Sequence, residues 1–237
     1  MKTSVDMKQL KMMDKELKRF LMSYKFGLEE IKTKINILNE EFQYSHDYNP
    51  IEHVKSRIKS PESIFEKLSR KDLEISLSSI KENIKDIAGI RIVCSFVSDI
   101  YKINEMLQNQ KDLKTIKYKD YIKNPKANGY QSLHLILQVP VFMSDRVEDV
   151  CVEIQIRTIG MDFWASLEHK IYYKYNNDIP QKLKDELKEA AITVAQLDRR
   201  MENLNKEIIK FDNSNSLEED LINVLMKDKI FHLPDSF

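Results

Sequence analysis

The run Val150-Cys-Val-Glu-Ile-Gln-Ile-Arg157 alternates apolar and polar residues. On a strand, Val150, Val152, Ile154 and Ile156 point one way and Cys151, Glu153, Gln155 and Arg157 the other. One face buries, and the other lines up a carboxylate, an amide and a guanidinium at intervals of about 7 Å. Asp86 stands in Asp86-Ile-Ala-Gly-Ile-Arg91, just before another apolar run. One carboxylate from each of two strands suits Mg²⁺, which takes one or two carboxylates, waters and substrate phosphates. A cap or turn aspartate is the more common use of such a residue.

A cationic surface precedes these carboxylates. Lys55, Arg57 and Lys59 alternate and share a face if extended. Ser63, Lys67 and Arg70 are spaced i, i+4, i+7, opposite Ile64, Phe65 and Leu68. Such a stripe beside a cationic strand fits a polyphosphate, because Arg forks grip phosphate and Lys adds point charge. A solvated lysine-rich face is the alternative. The stretch Lys117 to Tyr130 is rich in Lys, Asn and aromatics, chemistry suited to stacking a base and holding its phosphates. Tyr130 fits equally well as a packing residue at a strand entry. His46-Asp47 reads as a chance dipeptide, since only five histidines exist and no further metal-ligand signature accompanies it.

Composition narrows the chemistry. Four isolated glycines in 237 residues exclude a Rossmann fingerprint and a P-loop, so any phosphates must be held by side chains. With 38 Lys+Arg against 38 Asp+Glu, the chain is no globally basic nucleic-acid binder, and DNA is not expected as a partner. No stretch reaches the roughly 18 apolar residues of a membrane span. The charged start lacks a signal-peptide core, and Cys94 and Cys151 sit in apolar runs as reduced thiols, so a cytoplasmic location is expected.

The elements that must position these residues follow from periodicity. Residues 1–47 carry Leu10, Met13, Leu17, Leu21, Tyr24, Leu28, Ile31, Ile35, Leu38 and Phe42 at helical steps, giving one or two amphipathic helices. Residues 48–178 form a core domain. It has an edge strand over 51–59, a helix opened by Ser60-Pro61, a buried strand over 89–97 and a helix over roughly 99–110. Further strands are expected near 113–118, 133–139 and 150–156. The class is α+β, a mixed sheet of about five strands packed with helices. In 179–211, Leu183, Leu187, Ala190, Val194, Leu197, Met201, Leu204 and Ile208 form a heptad seam, facing either the N-terminal helices or another subunit. A tail over 212–237 holds a capping box, Ser216-x-x-Glu219, and a short helix over 217–226.

The order of these signals is more specific than any one of them. Arg57-Ile-Lys59, Ser63-x-x-x-Lys67-x-x-Arg70, Asp86-Ile-Ala-Gly-Ile-Arg91, Asn128-Gly-Tyr-Gln-Ser-Leu-His134, Val152-Glu-Ile-Gln-Ile-Arg-Thr158, Phe163-Trp-Ala and Glu168-His169 together resemble the RelA/SpoT synthetase domain. The short helical flanks resemble the small alarmone synthetases of RelQ type. Asp162 stands where those proteins tend to carry Asn, while Gln131 and Leu133 look like the long multidomain synthetases.

The resemblance implies a nucleotidyltransferase-like fold and a GTP/GDP pyrophosphokinase, moving the β,γ-diphosphate of ATP to the 3′-hydroxyl of GMP, GDP or GTP. It assigns ATP to Arg57, Lys59, Ser63, Lys67, Arg70 and Arg91. The guanine nucleotide falls to Tyr130, Asn128, His134, Gln155 and Lys119, and Mg²⁺ to Asp86 and Glu153, with Glu153 as base. It further implies a homo-oligomer, expected to be a tetramer through the terminal helices, and regulation by an alarmone or single-stranded RNA. The rivals are an inactive RNA-binding or regulatory member of the same fold, and a toxic relative that pyrophosphorylates another acceptor.

Overall fold

A computed structural model describes residues 7–45, 48–173 and 179–230. A single helix, α1 (Met7–Ser45), is followed by β1 (Ile51–Ile58), α2 (Pro61–Arg70), α3 (Leu77–Asn83), β2 (Ala88–Cys94) and α4 (Val97–Gln108). Then come β3 (Lys114–Asp120), β4 (Leu133–Phe142), β5 (Val147–Thr158), α5 (Ile159–Tyr173) and α6 (Gln181–Ile230). The sheet order is β1-β2-β5-β4-β3. Only the β2–β5 pair is parallel; the other three neighbours are antiparallel. The sheet is mixed and five-stranded, as the pattern predicts, and β1 lies at its edge.

The core fills the space between one face of the sheet and the helices α1 and α4. From α1 it takes Tyr24, Leu28, Ile31, Ile35 and Phe42, mostly from the C-terminal half of the predicted stripe, and from α4 Ile100, Ile103 and Leu107. Against these lie Ile90, Ile92, Leu133, Leu135, Leu137, Val152, Ile154 and Ile156. Where α1 crosses β5 it carries Gly27; a Cβ there would sit 2.9 Å from a Val150 methyl, so only glycine lets the helix lie this close.

Local signals explain the element ends. Ser60 accepts a hydrogen bond from the Ser63 N–H at 3.4 Å, capping α2, with Pro61 in the first turn. The strand expected over 89–97 stops at Cys94. Asp99 accepts from the Phe96 N–H at 3.1 Å, so α4 begins two residues before Asp99. An acidic side chain belongs inside the first helical turn, where it meets free N–H groups, rather than before it. Helix α3, unassigned from sequence, is opened by Ser76, which accepts from the Ser79 N–H at 3.2 Å.

The C-terminal helix departs most from expectation. It runs unbroken through Ser216–Glu219, so that capping box starts no helix of its own. No Pro or Gly occurs between Gln181 and Ile230, and extending a helix costs far less than nucleating a second one. Helix α6 packs on α5 rather than chiefly on α1. Trp164 Nε1 donates to the Leu187 carbonyl at 2.9 Å, and Thr158 Oγ1 donates to Asp198 at 2.6 Å. From Leu197 on, the seam residues Leu197, Met201, Leu204 and Ile208 are 50–58% exposed. His46, Asp47 and residues 231–237 lie outside the described residues.

Candidate active site

The pairing register sets two polar rows across the sheet. One reads Arg57–Gly89–Glu153–Ile136–Lys117 and the next Lys55–Arg91–Gln155–His134–Lys119. Because successive side chains alternate faces, both rows project from the face opposite the α1 core. Gly89 lies between Arg57 and Glu153 in the first row, where a Cβ would meet Arg57 Cγ and the Glu153 carbonyl oxygen at 3.9 Å.

Two cavities open on this face. One, of about 200 Å³, is lined by Lys55, Arg57, Gly89, Arg91, Glu153 and Gln155. The other, of about 350 Å³, is walled by Lys67, Lys71, Lys85, Lys117, Lys119 and Lys126, with Asp86, Tyr121, His134 and Glu153. Glu153 lines both. A third cavity of about 530 Å³, between α1 and the β4–β5 hairpin, contains none of the candidate residues.

Asp86 is held by two ammonium groups: its Oδ2 accepts from Lys59 at 2.7 Å and from Lys67 at 2.6 Å. Burial pushes its pKa up, but the two lysines more than offset this and hold it below the usual aspartate range. Its Oδ1 is buried and has no hydrogen-bond partner. Glu153 is similar. Burial raises its pKa, and the neighbouring His134 ring, with Nδ1 at 3.6 Å from Oε1, brings it below the usual glutamate range. Gln155 Nε2 donates to Glu153 Oε2 at 2.9 Å.

Tyr130 sits behind His134 rather than on the wall of the larger cavity. Its hydroxyl pairs with His134 Nε2 at 2.8 Å and accepts from Arg157 Nη2 at 2.7 Å. Lys126 and Arg157 place cations over its ring, at 4.5 and 5.2 Å from the centroid. Arg157 is buried and also donates to Gln155 Oε1 and Asp162 Oδ1, so the exposed Lys126 is the less constrained of the two cations. Asn128 anchors the loop. Its Oδ1 accepts from the Tyr130 N–H at 3.2 Å and its amide donates to Glu168 at 3.1 Å.

Among the sequence candidates, the fold thus gathers Arg57, Arg91, Gln155, Glu153, His134, Lys119, Asp86 and Lys67 around two adjoining cavities, with Lys59 tied in through Asp86. Ser63, on the first turn of α2, and the exposed Arg70 at its last residue line neither of the two. Sequence reasoning passed over Tyr121, Lys126, Lys71 and Lys85. Tyr121 meets the His134 ring edge-on at 5.2 Å and the Tyr130 ring at 6.0 Å. Its signal was only its place in the Lys-rich loop.

A mixed sheet with lysine-walled cavities meeting at one strand is the frame of a phosphate-handling α+β domain. Comparison with known proteins narrows this. Residues 56–178 match the model described as the region found in RelA / SpoT proteins. GTP pyrophosphokinase YwaC of Bacillus subtilis is 55% identical over 202 residues, covering 85% of this chain and 96% of that protein. The crystal structure of small alarmone synthetase 2 from B. subtilis superposes with a TM-score of 0.74 at 54% identity, covering 81% of this chain and 99% of that one. Small alarmone synthetase 1 from B. subtilis, bound to its product pppGpp, gives 0.76 at 41% identity over 82% and 98%. The same synthetase bound to AMPCPP gives 0.71 at 38% over 83% and 99%. The chain belongs to the RelA/SpoT family, and its fold is that of the small alarmone synthetases.

Proposed function

We infer that this chain is a GTP pyrophosphokinase that makes (p)ppGpp or pGpp from ATP and a guanine nucleotide. The observation that carries the reading is Glu153, the one residue common to the arginine-lined and the lysine-walled cavity. A reaction that passes a diphosphate from one nucleotide to another needs a group at the junction of two phosphate-binding spaces.

In this reading ATP binds on the side of Arg57 and Arg91, with Lys59, Ser63, Lys67 and Arg70 along its phosphates. The acceptor enters the larger cavity, its base on Tyr130 after Lys126 swings away, its ribose near His134, Gln155 and Asn128, and its phosphates toward Lys119. Glu153 takes the proton of the 3′-hydroxyl as that oxygen bonds to the β-phosphorus, the α–β bridging bond breaks, and AMP leaves. A carboxylate with a depressed pKa is a weak base. In-line positioning and neutralisation of the transferred oxygens must therefore supply most of the rate.

The residues present also fit Mg²⁺. Asp86 Oδ1 is buried without a partner, and Glu153 is close enough for the two carboxylates to feel each other's charge. Among the described residues no group of three or more His, Cys, Asp or Glu is suited to a metal, so substrate phosphates would complete the shell, as is usual for Mg²⁺. Bound there, the ion would neutralise charge on the transferred diphosphate.

The exposed seam of α6 supports a homo-oligomer, and we assign it as a tetramer. No helix among the described residues is long and apolar enough to cross a membrane, and the substrates are cytoplasmic nucleotides, which supports a cytoplasmic enzyme. The test is incubation with ATP, Mg²⁺ and each of GMP, GDP and GTP, followed by anion-exchange chromatography. A more phosphorylated guanosine product with stoichiometric AMP is expected; folded protein that yields no AMP with any acceptor overturns the reading.

A further inference from the structure

An ion-pair bridge centred on Asp162, which the reaction as described does not use, links residues of the two cavities. Asp162, on the first turn of α5, is 8% exposed. A single oxygen, Oδ1, faces Arg91 Nη1 at 3.0 Å and Arg157 Nη1 at 3.2 Å. Its other oxygen lies 4.0 Å from His53 Nε2 on β1. Arg91 lines the smaller cavity. Arg157, 4% exposed, reaches the other way, with Nη2 donating to the Tyr130 hydroxyl and to Gln155 Oε1, both at 2.7 Å. The contacts therefore run unbroken from Arg91 through Asp162 and Arg157 to Tyr130, His134 and Glu153.

One carboxylate oxygen shared by two guanidinium groups is a competition. Burial and the nearby Arg157 both work against the charge on Arg91. A phosphate arriving in the smaller cavity offers Arg91 a competing anionic partner and draws it away from Asp162. The whole carboxylate then falls to Arg157, which cannot follow Arg91 because it is buried and already bonded to Tyr130 and Gln155. The guanidinium is then fixed more firmly, and with it the Nη2 contact that holds the Tyr130 hydroxyl. A purely structural ion pair needs neither the shared oxygen nor contacts leading into two separate cavities.

We propose that Asp162 is a positioning residue that couples the two nucleotide sites, so that filling the arginine-lined cavity sets Tyr130 for the guanine nucleotide. The proposal rests on the assignment of the two cavities to ATP and acceptor given above. By reciprocity, the acceptor strengthens donor binding by the same factor. The substitution that separates coupling from folding is Asp162→Asn, which keeps the shape and one acceptor oxygen but removes the charge two arginines compete for.

Titration calorimetry of GDP into the full-length protein, with and without saturating AMPCPP, reads the coupling directly. The unsubstituted protein is expected to bind GDP at least five-fold more tightly with AMPCPP present. Asp162→Asn, melting within a few degrees of it, should bring that ratio below two. Arg157→Lys keeps the charge but lacks the fork, and serves as the second variant should the first fail to fold; it should lose the ratio too. A folded variant retaining the full ratio, or an active unsubstituted protein with no ratio to lose, overturns the coupling alone. Protein that binds neither nucleotide overturns the site assignment and the coupling with it.

Discussion

Glu153 Oε1 and His134 Nδ1 face each other at 3.6 Å across the β4–β5 pair, two residues out of direct register on the same face, since Glu153 pairs with Ile136 and His134 with Gln155. That diagonal lets the imidazole hold the carboxylate with one nitrogen and the Tyr130 hydroxyl with the other. The group proposed to accept the proton and the group proposed to carry the base are thus joined through one ring.

Glu153→Gln keeps the shape of this diagonal and removes the base. General-base loss typically costs 10²–10⁴-fold, so kcat should fall by about that factor while the melting temperature stays within a few degrees. Steady-state assays beside a thermal melt check both. Turnover surviving in the amide would remove Glu153 from the mechanism.

The pH profile follows from the same contact. With His134 in place the Glu153 pKa lies below the usual glutamate range, so the base is ionised, and activity retained, down to pH values under that range. Removing the ring leaves the raising effect of burial unopposed by its largest counterweight. The acid limb of kcat in His134→Ala should therefore move to higher pH; an unmoved limb would mean that another group governs it.

Asp86 adds a pH-dependent share of stability. Its folded-state pKa lies below the unfolded value of about 3.9, so the ionised carboxylate favours the fold above that pH, and the contribution is lost as pH falls through the depressed value. Asp86→Asn lacks the contribution throughout. The gap in melting temperature between the two proteins should be full at pH 7 and narrow below about pH 4. A gap constant down to pH 3 would contradict the lysine clamp.

Gly129→Ala tests the mounting of the acceptor loop. Gly129 has φ +88°, and a Cβ there would lie 2.5 Å from the Ala191 Cβ on α6. The loop must shift, carrying Tyr130 with it. Stacking is worth about 1–3 kcal/mol per base, so the acceptor KM should rise about 5- to 150-fold with the KM for ATP little changed. Equal damage to both would place the effect in the fold as a whole.

The exposed seam predicts a mass in light scattering well above 28.1 kDa. Joint replacement of Leu197, Met201 and Leu204 by Glu should return the protein to that mass. These residues lie beyond the anchors at Leu187 and Asp198 or on the exposed side of α6, so the fold of the sheet should survive.

Much of this was legible in the sequence where the relevant distance is short along the chain. The alternation of Glu153, Gln155 and Arg157 placed them on one face because a strand has a period of two, and Ser60-Pro61 marked the start of α2. What depends on pairing between strands was not legible. Nothing local says that Gly89 sits opposite Glu153, or that Lys59 and Lys67 converge on Asp86. The sequence leaves Tyr130 as either a surface for a base or a packing residue, and its ring contacts with His134, Arg157 and Lys126 depend on tertiary packing. The seam of α6 showed its period but not its partner, since a heptad reads the same whatever it packs on.

Helices α1 and α4 cover one face of the sheet, while on the other face the polar members of the two rows stay half-buried or exposed. An α+β domain with helices on one face commonly leaves the other face to solvent. Here the two nucleotides would act as the missing third layer, with their bases and phosphates in place of helices. An enzyme built this way is structurally incomplete between turnovers, and its rigidity should rise and fall with the cellular supply of the molecules it consumes.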